Sequence, residues 1–554
     1  MVKPLLENTA QLKFLHGEVS LPEIVHSHAQ KRSKQPAIIY YGEPIDYQTL
    51  DDHARRLAAA LRKMGFCPGD RIGAMLQPCP QCHIFYIATL LAGLVAVPID
   101  PMSKRLELEH YFDDSGISGL VAMDYLMETI NLVPGRDRIR HVIVTRFADY
   151  APATPSMPLH PIMATRCAAV NGTIDLSSLI AAEEPEPLPQ TSLDDPAFIL
   201  YTGGTTGLSK GCIHTHRDLL YTANGHAQFN IPRLCPDDVL LTAWPLTHIS
   251  GITVMVAGLL AGATSIILTR WDTDAALAAF MRYQPSITMW PVPCYRDFLR
   301  RPGHEAAYYS RLRVSLVVPF AMEITEDVVR GWQLTTGTAL HDWGYGSSEH
   351  ANYCGYGYGL PFPRPQCTTA SHPYPGVAIR IVDFETGRDL REGEIGEIVT
   401  RTPAQFKGYW NSPDKTRETI VDGWVHMNDR GYVKDGILYF IGKASEVVKV
   451  SGYTVSLPEL EAFGIRHEAV ESIAVIGIAH PRKGNQIKAF VTLKPRSQVT
   501  AEQLEQWFAE RVAPFKQPVV EIRDSLPMSG AGKTLKRILI DEERGARVVK
   551  HNVD

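Results

Sequence analysis

The sequence predicts an α/β fold: a large N-terminal region built from two similar α/β subdomains and a β-barrel-like subdomain, followed by a small α+β C-terminal domain. Three observations carry this. Two uncharged stretches, Ile84 to Ile99 and Gly251 to Leu268, each read as a helix that stops at a glycine and gives way to a strand. Glycine just past a helix end relieves left-handed backbone strain, and the β-branched residues that follow fit a buried strand. From about Val377 the pattern changes to short alternating strands with glycine turns, clearest in Ala378-Ile-Arg-Ile-Val and Gly393-Glu-Ile-Gly-Glu-Ile-Val. After Gly442 a compact α+β pattern follows, with a helix over Leu457 to Phe463, strands over Ser472 to Gly477 and Lys488 to Leu493, and a helix over Ala501 to Val512.

Between the two α/β units, Asp149 to Asp195 is rich in Pro, Ala and Ser and reads as surface connection with one short helix at Leu176 to Ala182. A domain boundary is expected near Lys443 to Ser445, dividing the chain into residues 1–444 and 445–554. The 554 residues leave room for two to four domains, and 45% hydrophobic with 21% charged residues excludes disorder, collagen and coiled coil. A net charge of −5 argues against nonspecific nucleic-acid binding, which needs a basic surface. The apolar stretches read as core helix plus core strand, so no transmembrane segment is expected. The nine cysteines are odd in number and scattered from Cys67 to Cys367, which points to reduced thiols. Met1-Val-Lys-Pro-Leu-Leu-Glu-Asn lacks the unbroken apolar run of a secretory signal, so the expected location is the cytoplasm.

The most informative stretch is Tyr201-Thr-Gly-Gly-Thr-Thr-Gly-Leu-Ser-Lys-Gly211, directly after the expected strand Ala197-Phe-Ile-Leu. Its glycines let backbone N–H groups close on an anion, its hydroxyls add donors and Lys210 adds a full charge, so it reads as a phosphate cradle. The spacing of a nucleoside-triphosphatase loop is missing there. Pro527-Met-Ser-Gly-Ala-Gly-Lys-Thr534 comes near that spacing but has Pro527 where the first glycine belongs. Lys533, on a glycine-flanked loop, is instead suited to swing into a distant site as a point charge on a developing oxyanion. Cys79-Pro-Gln-Cys82-His83 matches a haem-attachment pattern without the exported context that chemistry needs. Cys212, His214 and His216 would share one face of a strand as zinc ligands, but no fourth ligand is near. Gly355-Tyr-Gly-Tyr-Gly359 reads as a turn.

The cradle resembles the phosphate-loop signature of the adenylate-forming superfamily of acyl-CoA synthetases, peptide-synthetase adenylation domains and luciferases. Further matches follow in order: Pro245-Leu-Thr-His248-Ile-Ser-Gly251, Tyr345-Gly-Ser-Ser-Glu349, Gly393 to Glu397 with Gly408-Tyr-Trp410, Gly423 to Asp429, Gly442-Lys-Ala-Ser445 with Lys449 and Gly452, and Leu526-Pro to Gly532-Lys533. The resemblance implies an AMP-forming acid–thiol ligase, most like an acyl-CoA synthetase, that uses ATP, Mg²⁺ and coenzyme A. It would activate a carboxylic acid as acyl-adenylate and then transfer the acyl group to CoA. Alternatives are a stand-alone adenylation enzyme loading a carrier protein, or a nonenzymatic nucleotide- or acyl-binding relative. A homo-oligomer is an open possibility for assembly.

Residue by residue, the resemblance implies that Thr202, Gly203, Gly204, Thr205, Thr206, Gly207 and Lys210 hold the β- and γ-phosphates. Tyr345 would stack on adenine within Tyr345-Gly346-Ser347, and Ser348 would lie near the α-phosphate. Glu349, with Thr205, would serve the metal, Asp429 would bind the ribose hydroxyls and Lys443 the adenylate. Lys533 would touch both the carboxylate and the α-phosphate, and the small C-terminal domain would rotate about Ser445 between half-reactions. That rotation brings in the loop of Lys449, Ser451 and Gly452, where a side chain would obstruct the pantetheine path. His248 would gate the acyl pocket, for which His248, Gly251, Trp290, Phe320 and Gly346 are candidates, a set that favours an aryl or cyclic acid. The sequence departs from the family pattern at Gly203, Ser209, Lys443, Ser445 and Val317-Val-Pro-Phe-Ala-Met322.

Overall fold

The computed structural model describes residues 4–165, 172–187, 191–202, 208–319, 324–360, 369–443, 447–494 and 496–527, together with 534, 536 and 538–543. The two α/β units are built on one plan. In the first sheet the strand order runs Lys210–Thr215, Pro196–Thr202, Val95–Pro98, Arg71–Met75, Gly119–Met123, His141–Thr145, Ile174–Asp175. The second runs Glu43–Asp46, Pro36–Tyr40, Thr264–Ile267, Val239–Thr242, Ile287–Pro291, Val314–Val318, Leu340–Asp342. Each has six parallel strands and ends on one antiparallel hairpin strand. The first unit takes its hairpin from later in the chain and the second from earlier. Both hairpins fill the same edge, next to the strand that follows the apolar helix.

Those apolar helices span Pro80–Leu91 and Ile249–Ala261, and all residues of both are buried except Leu91. Gly93 and Gly262 take φ of +70° and +72° just beyond them, as the sequence requires. No helix among the described residues is long and apolar enough to cross a membrane. A shared core joins the units: Tyr86 packs edge-on against Phe198 and donates to the Leu246 carbonyl at 2.8 Å. The connection after Asp149 contains the expected helix Leu176–Ala182, but it also adds the edge strand Ile174–Asp175 to the first sheet.

The β-rich part is an eight-stranded sheet with the terminal strands Leu6–Glu7 and Gly355–Tyr356 at opposite edges, so among the described residues it is curled and open at both edges. It holds the expected strand Ala378–Val382, and Gly393 turns with φ +85° ahead of strand Gly396–Arg401. The C-terminal part contains helices Leu457–Gly464 and Ala501–Arg511, and two strands of its five-stranded sheet, Val470–His480 and Gly484–Leu493, run longer than the expected segments. The extra length belongs to one continuous antiparallel ladder.

Leu106 of the N-terminal region is buried within the core of the C-terminal part. Beside it Lys516 bridges Glu107 at 2.7 Å and Glu459 at 2.8 Å, with Glu107 and Glu459 carrying two further backbone bonds from Ala513 and Ser209. Burial would lower the Lys516 ammonium's pKa, but Glu107 and Glu459 hold it well above its ordinary value. Breaking such a buried triad leaves uncompensated charge, so this contact fixes the seating of the C-terminal part described below.

Candidate active site

The C-terminal ends of parallel strands in open α/β sheets gather ligand-binding loops, because helices there begin and backbone donors converge. Here strand Pro196–Thr202 leads into the cradle and strand Leu340–Asp342 leads into Gly344 to Glu349. Together with the β-rich part they enclose a cavity of about 580 Å³. Thr202, Lys210, His248, Tyr345, Gly346, Ser347, Ser348, Glu349, Asp429 and Lys449 all line it. A second cavity of about 400 Å³, lined by Trp290, Ser451 and Gly452, meets the first at His248.

Glu349 lies in a short 3₁₀ turn capped by Ser347 and is 3% exposed. Its Oε1 accepts from the Tyr409 hydroxyl at 2.7 Å and its Oε2 from Ser347 Oγ at 2.9 Å. Lys210 Nζ lies 4.5 Å from the centre of the Tyr409 ring, a cation–π contact. Burial lowers the Lys210 pKa and the charge of Glu349 pulls it back up. The strand Lys210–Thr215 organises this group further, since His214 lies 2.7 Å from the Ser348 carbonyl and Cys212 bridges to Tyr409. The one-face arrangement of Cys212, His214 and His216 does not survive, because a register shift after His214 ends the strand and His216 begins helix His216–Gly225. No cluster of three or more metal-ligating side chains forms among the described residues.

Asp429 is 2% exposed and accepts from the Tyr345 hydroxyl at 2.8 Å. Asn428, with φ +53°, and the register shift after Arg430 turn the strand so that Asp429 faces the cavity. Burial, then the charge of Asp429, raises the Tyr345 phenol well above its ordinary value, so it stays a donor. Its ring packs at 5.4 Å from Phe440. Gly346 is demanded by contact: a Cβ there would meet the Asn352 carbonyl at 1.9 Å.

His248 caps helix Ile249–Ala261, with Nδ1 accepting from Ser250 N–H at 3.1 Å. That bond places the ring proton on Nε2. Burial, helped by Lys449, pushes its pKa down to about 4. Ser451 and Gly452 form a two-residue hairpin turn with φ of +51° and +92°, the conformation that matches strand twist. A Cβ on Gly452 would meet nothing within 4 Å, so the positive φ explains the glycine without any clash inside the protein.

Two of the expected acyl-pocket residues are placed differently. Gly251 lines neither cavity, because its Cα faces the Pro245 carbonyl, which a Cβ would approach to 2.2 Å. Trp290 lines the second cavity, apart from Gly346 in the first. Gly203, Gly204, Thr205, Thr206, Gly207, Phe320, Ser445 and Lys533 lie outside the described residues, and so does the side chain of Lys443, whose backbone pairs with Asp429. Tyr409, Glu397, Ser250 and Asn352 line or support the site without having been singled out. Tyr409 sat within a quoted motif, Gly408-Tyr-Trp410, and only its contact with Glu349 reveals its part.

The family model "AMP-binding enzyme" matches residues 25–410, and "AMP-binding enzyme C-terminal domain" matches residues 459–533. This chain belongs to the AMP-binding enzyme family. It is 29% identical to a long-chain-fatty-acid–CoA ligase of Bacillus subtilis over 95% of this chain and 94% of that one. A fatty acid–[acyl-carrier-protein] ligase of Streptomyces coeruleorubidus is 28% identical over 96% and 98%. In fold it is similar to o-succinylbenzoate CoA synthetase of Bacillus subtilis bound with its product analogue, with a TM-score of 0.77, 21% identity and coverage of 94% and 98%.

Proposed function

We propose that this AMP-binding enzyme is an ATP-dependent carboxylic acid–CoA ligase. A carboxylate oxygen attacks the α-phosphorus and pyrophosphate leaves; the CoA sulfur then attacks the acyl carbon, its proton is released and AMP leaves. One observation carries the reading: Lys210, the pair Tyr345 and Glu349, and Asp429, from three separate segments, converge on one cavity that meets a second at His248.

Lys210 and the cradle hold the β- and γ-phosphates. Mg²⁺ is held by one or two carboxylates together with substrate phosphates, so Glu349 beside Lys210 fits it, with Thr205 as the second contact. When bound, it neutralises charge on the phosphate oxygens. Asp429 takes the ribose hydroxyls, for which a carboxylate is well shaped, while the Tyr345 hydroxyl fixes its orientation. His248 is neutral at pH 7 and carries its proton on Nε2, so it acts as a donor and gate and does not take the thiol proton. Lys449 lines the cavity near His248, placed to hold departing phosphate charge.

The turn Ser451–Gly452 lies against the second cavity, an arrangement that suits thioester formation. Lys533 serves the first half-reaction in another seating of residues 445–554, reached by rotation about Ser445. The test follows AMP and thioester together, with ATP, Mg²⁺, CoA and a panel of carboxylic acids. Equal yields of AMP and acyl-CoA with at least one acid are expected. AMP without thioester would replace CoA by a carrier protein as the acceptor, and no AMP with any acid would contradict the ligase reading.

A further inference from the structure

We propose that the acid this enzyme activates carries an oxygen acceptor on its acyl part, as a hydroxy, keto or second carboxyl group, and that Asn352 recognises it. This rests on the ligase reading above. Asn352 is 3% exposed and lines the larger cavity. Its Oδ1 accepts from Ser250 Oγ at 3.0 Å, and its Nδ2 has no hydrogen-bond partner among the described residues. A buried donor without a partner costs about 1–3 kcal/mol, which an acceptor on a bound group would recover.

The backbone holds this side chain in place. Ala351 and Asn352 take successive positive φ angles of +50° and +108°, and the Asn352 N–H donates to the Ser347 carbonyl at 3.1 Å. Two non-glycine residues in that region are strained, and strain of this kind persists at ligand sites. The Asn352 carbonyl covers Gly346, so the residue is tied to the Tyr345-to-Glu349 segment. Ser250, 1% exposed, sits two residues after His248 in the first turn of its helix, which ties the Asn352 amide to the helix that His248 caps.

Behind this pair the wall is solid. Tyr353, next in sequence and 4% exposed, stacks on Trp343 at 5.2 Å, and Trp244 packs edge-on against Trp343 at 5.3 Å. A site whose buried donor goes unmet rejects the analogue that lacks the acceptor, by about 10- to 100-fold for one such bond.

The experiment compares kcat/KM for acid-dependent pyrophosphate exchange with matched pairs of acids of equal length, one plain and one carrying a hydroxy, keto or carboxyl oxygen. The expected wild-type preference for one oxygenated member is about 10- to 100-fold. Asn352→Asp keeps the shape and the Ser250 contact but removes the donor, and it should abolish the preference. Asn352→Gly, which suits the positive φ and also deletes the donor, gives the same reading if the Asp variant does not fold. Equal use of plain and oxygenated acids by the wild type would overturn the proposal while leaving the ligase reading standing, as would a preference that survives both variants. The absence of exchange with every acid in the panel would remove the ligase reading, and this proposal with it.

Discussion

Around Glu349 the proposed chemistry depends on how two carboxylate oxygens are held. Tyr409 and Ser347 each donate to one of them, leaving the carboxylate oriented beside Lys210. A hydrogen bond to a charged acceptor contributes about 1.5–3 kcal/mol, so Tyr409→Phe should lower kcat/KM for adenylation about 10- to 100-fold. Initial-rate pyrophosphate release at varied ATP checks this, and an unchanged rate would detach Tyr409 from the site. Glu349, Lys210 and Asp429 were legible in sequence because their chemistry needs those residue types within recognisable motifs. Tyr409, Ser250 and Asn352 were not, because each acts through a partner 60 to 102 residues away, a pairing that spacing along the chain does not encode.

At the scale of elements, the helix–glycine–strand units were legible because a left-handed helix stop and a β-branched run are local signals. Less legible was that each unit borrows a hairpin from outside its own stretch of chain. That exchange depends on which sheet edge is open and not on local propensity. Gly251 shows the same limit. Its place in a motif suggested pocket lining, whereas the close approach of the Pro245 carbonyl explains it. The hairpin turn at Ser451–Gly452 gives a prediction of this scale. Gly452→Ala forces a side chain into positive φ at a cost of about 1–2 kcal/mol. The thioester half-reaction, for which the turn is proposed, should slow about 10-fold, while pyrophosphate exchange stays within about twofold. Equal losses in both halves would show that the turn does not divide the reaction.

For the whole molecule, the seating of the C-terminal part rests on Lys516 between Glu107 and Glu459. Lys516→Met leaves two buried carboxylates facing each other, a loss of about 3–5 kcal/mol for this seating. Thioester formation should fall far more than adenylation in single-turnover experiments, and a selective loss of adenylation would contradict the assignment of this seating to the second half-reaction. Stability should also depend on acid. Burial first of all holds His83, His216 and His248 down to about 4 and His226 to about 3, below their ordinary 6.5. Between about pH 6.5 and 4 the unfolded chain takes up protons that these folded rings refuse, so stability falls as pH drops, by about 1 kcal/mol per pH unit per histidine. The urea midpoint should therefore be lower at pH 5 than at pH 7.5, and an equal or higher midpoint at pH 5 would contradict the burial of neutral rings.

In the proposed reaction one cavity, organised around Glu349, activates a carboxylic acid with ATP. Acid-dependent exchange of labelled pyrophosphate into ATP, compared between the wild type and Glu349→Gln, tests it most directly, since glutamine keeps the shape and removes the charge. Exchange is expected in the wild type, with a loss of about 100-fold or more in the variant and its melting temperature little changed. Exchange that proceeds at the wild-type rate in Glu349→Gln would contradict it.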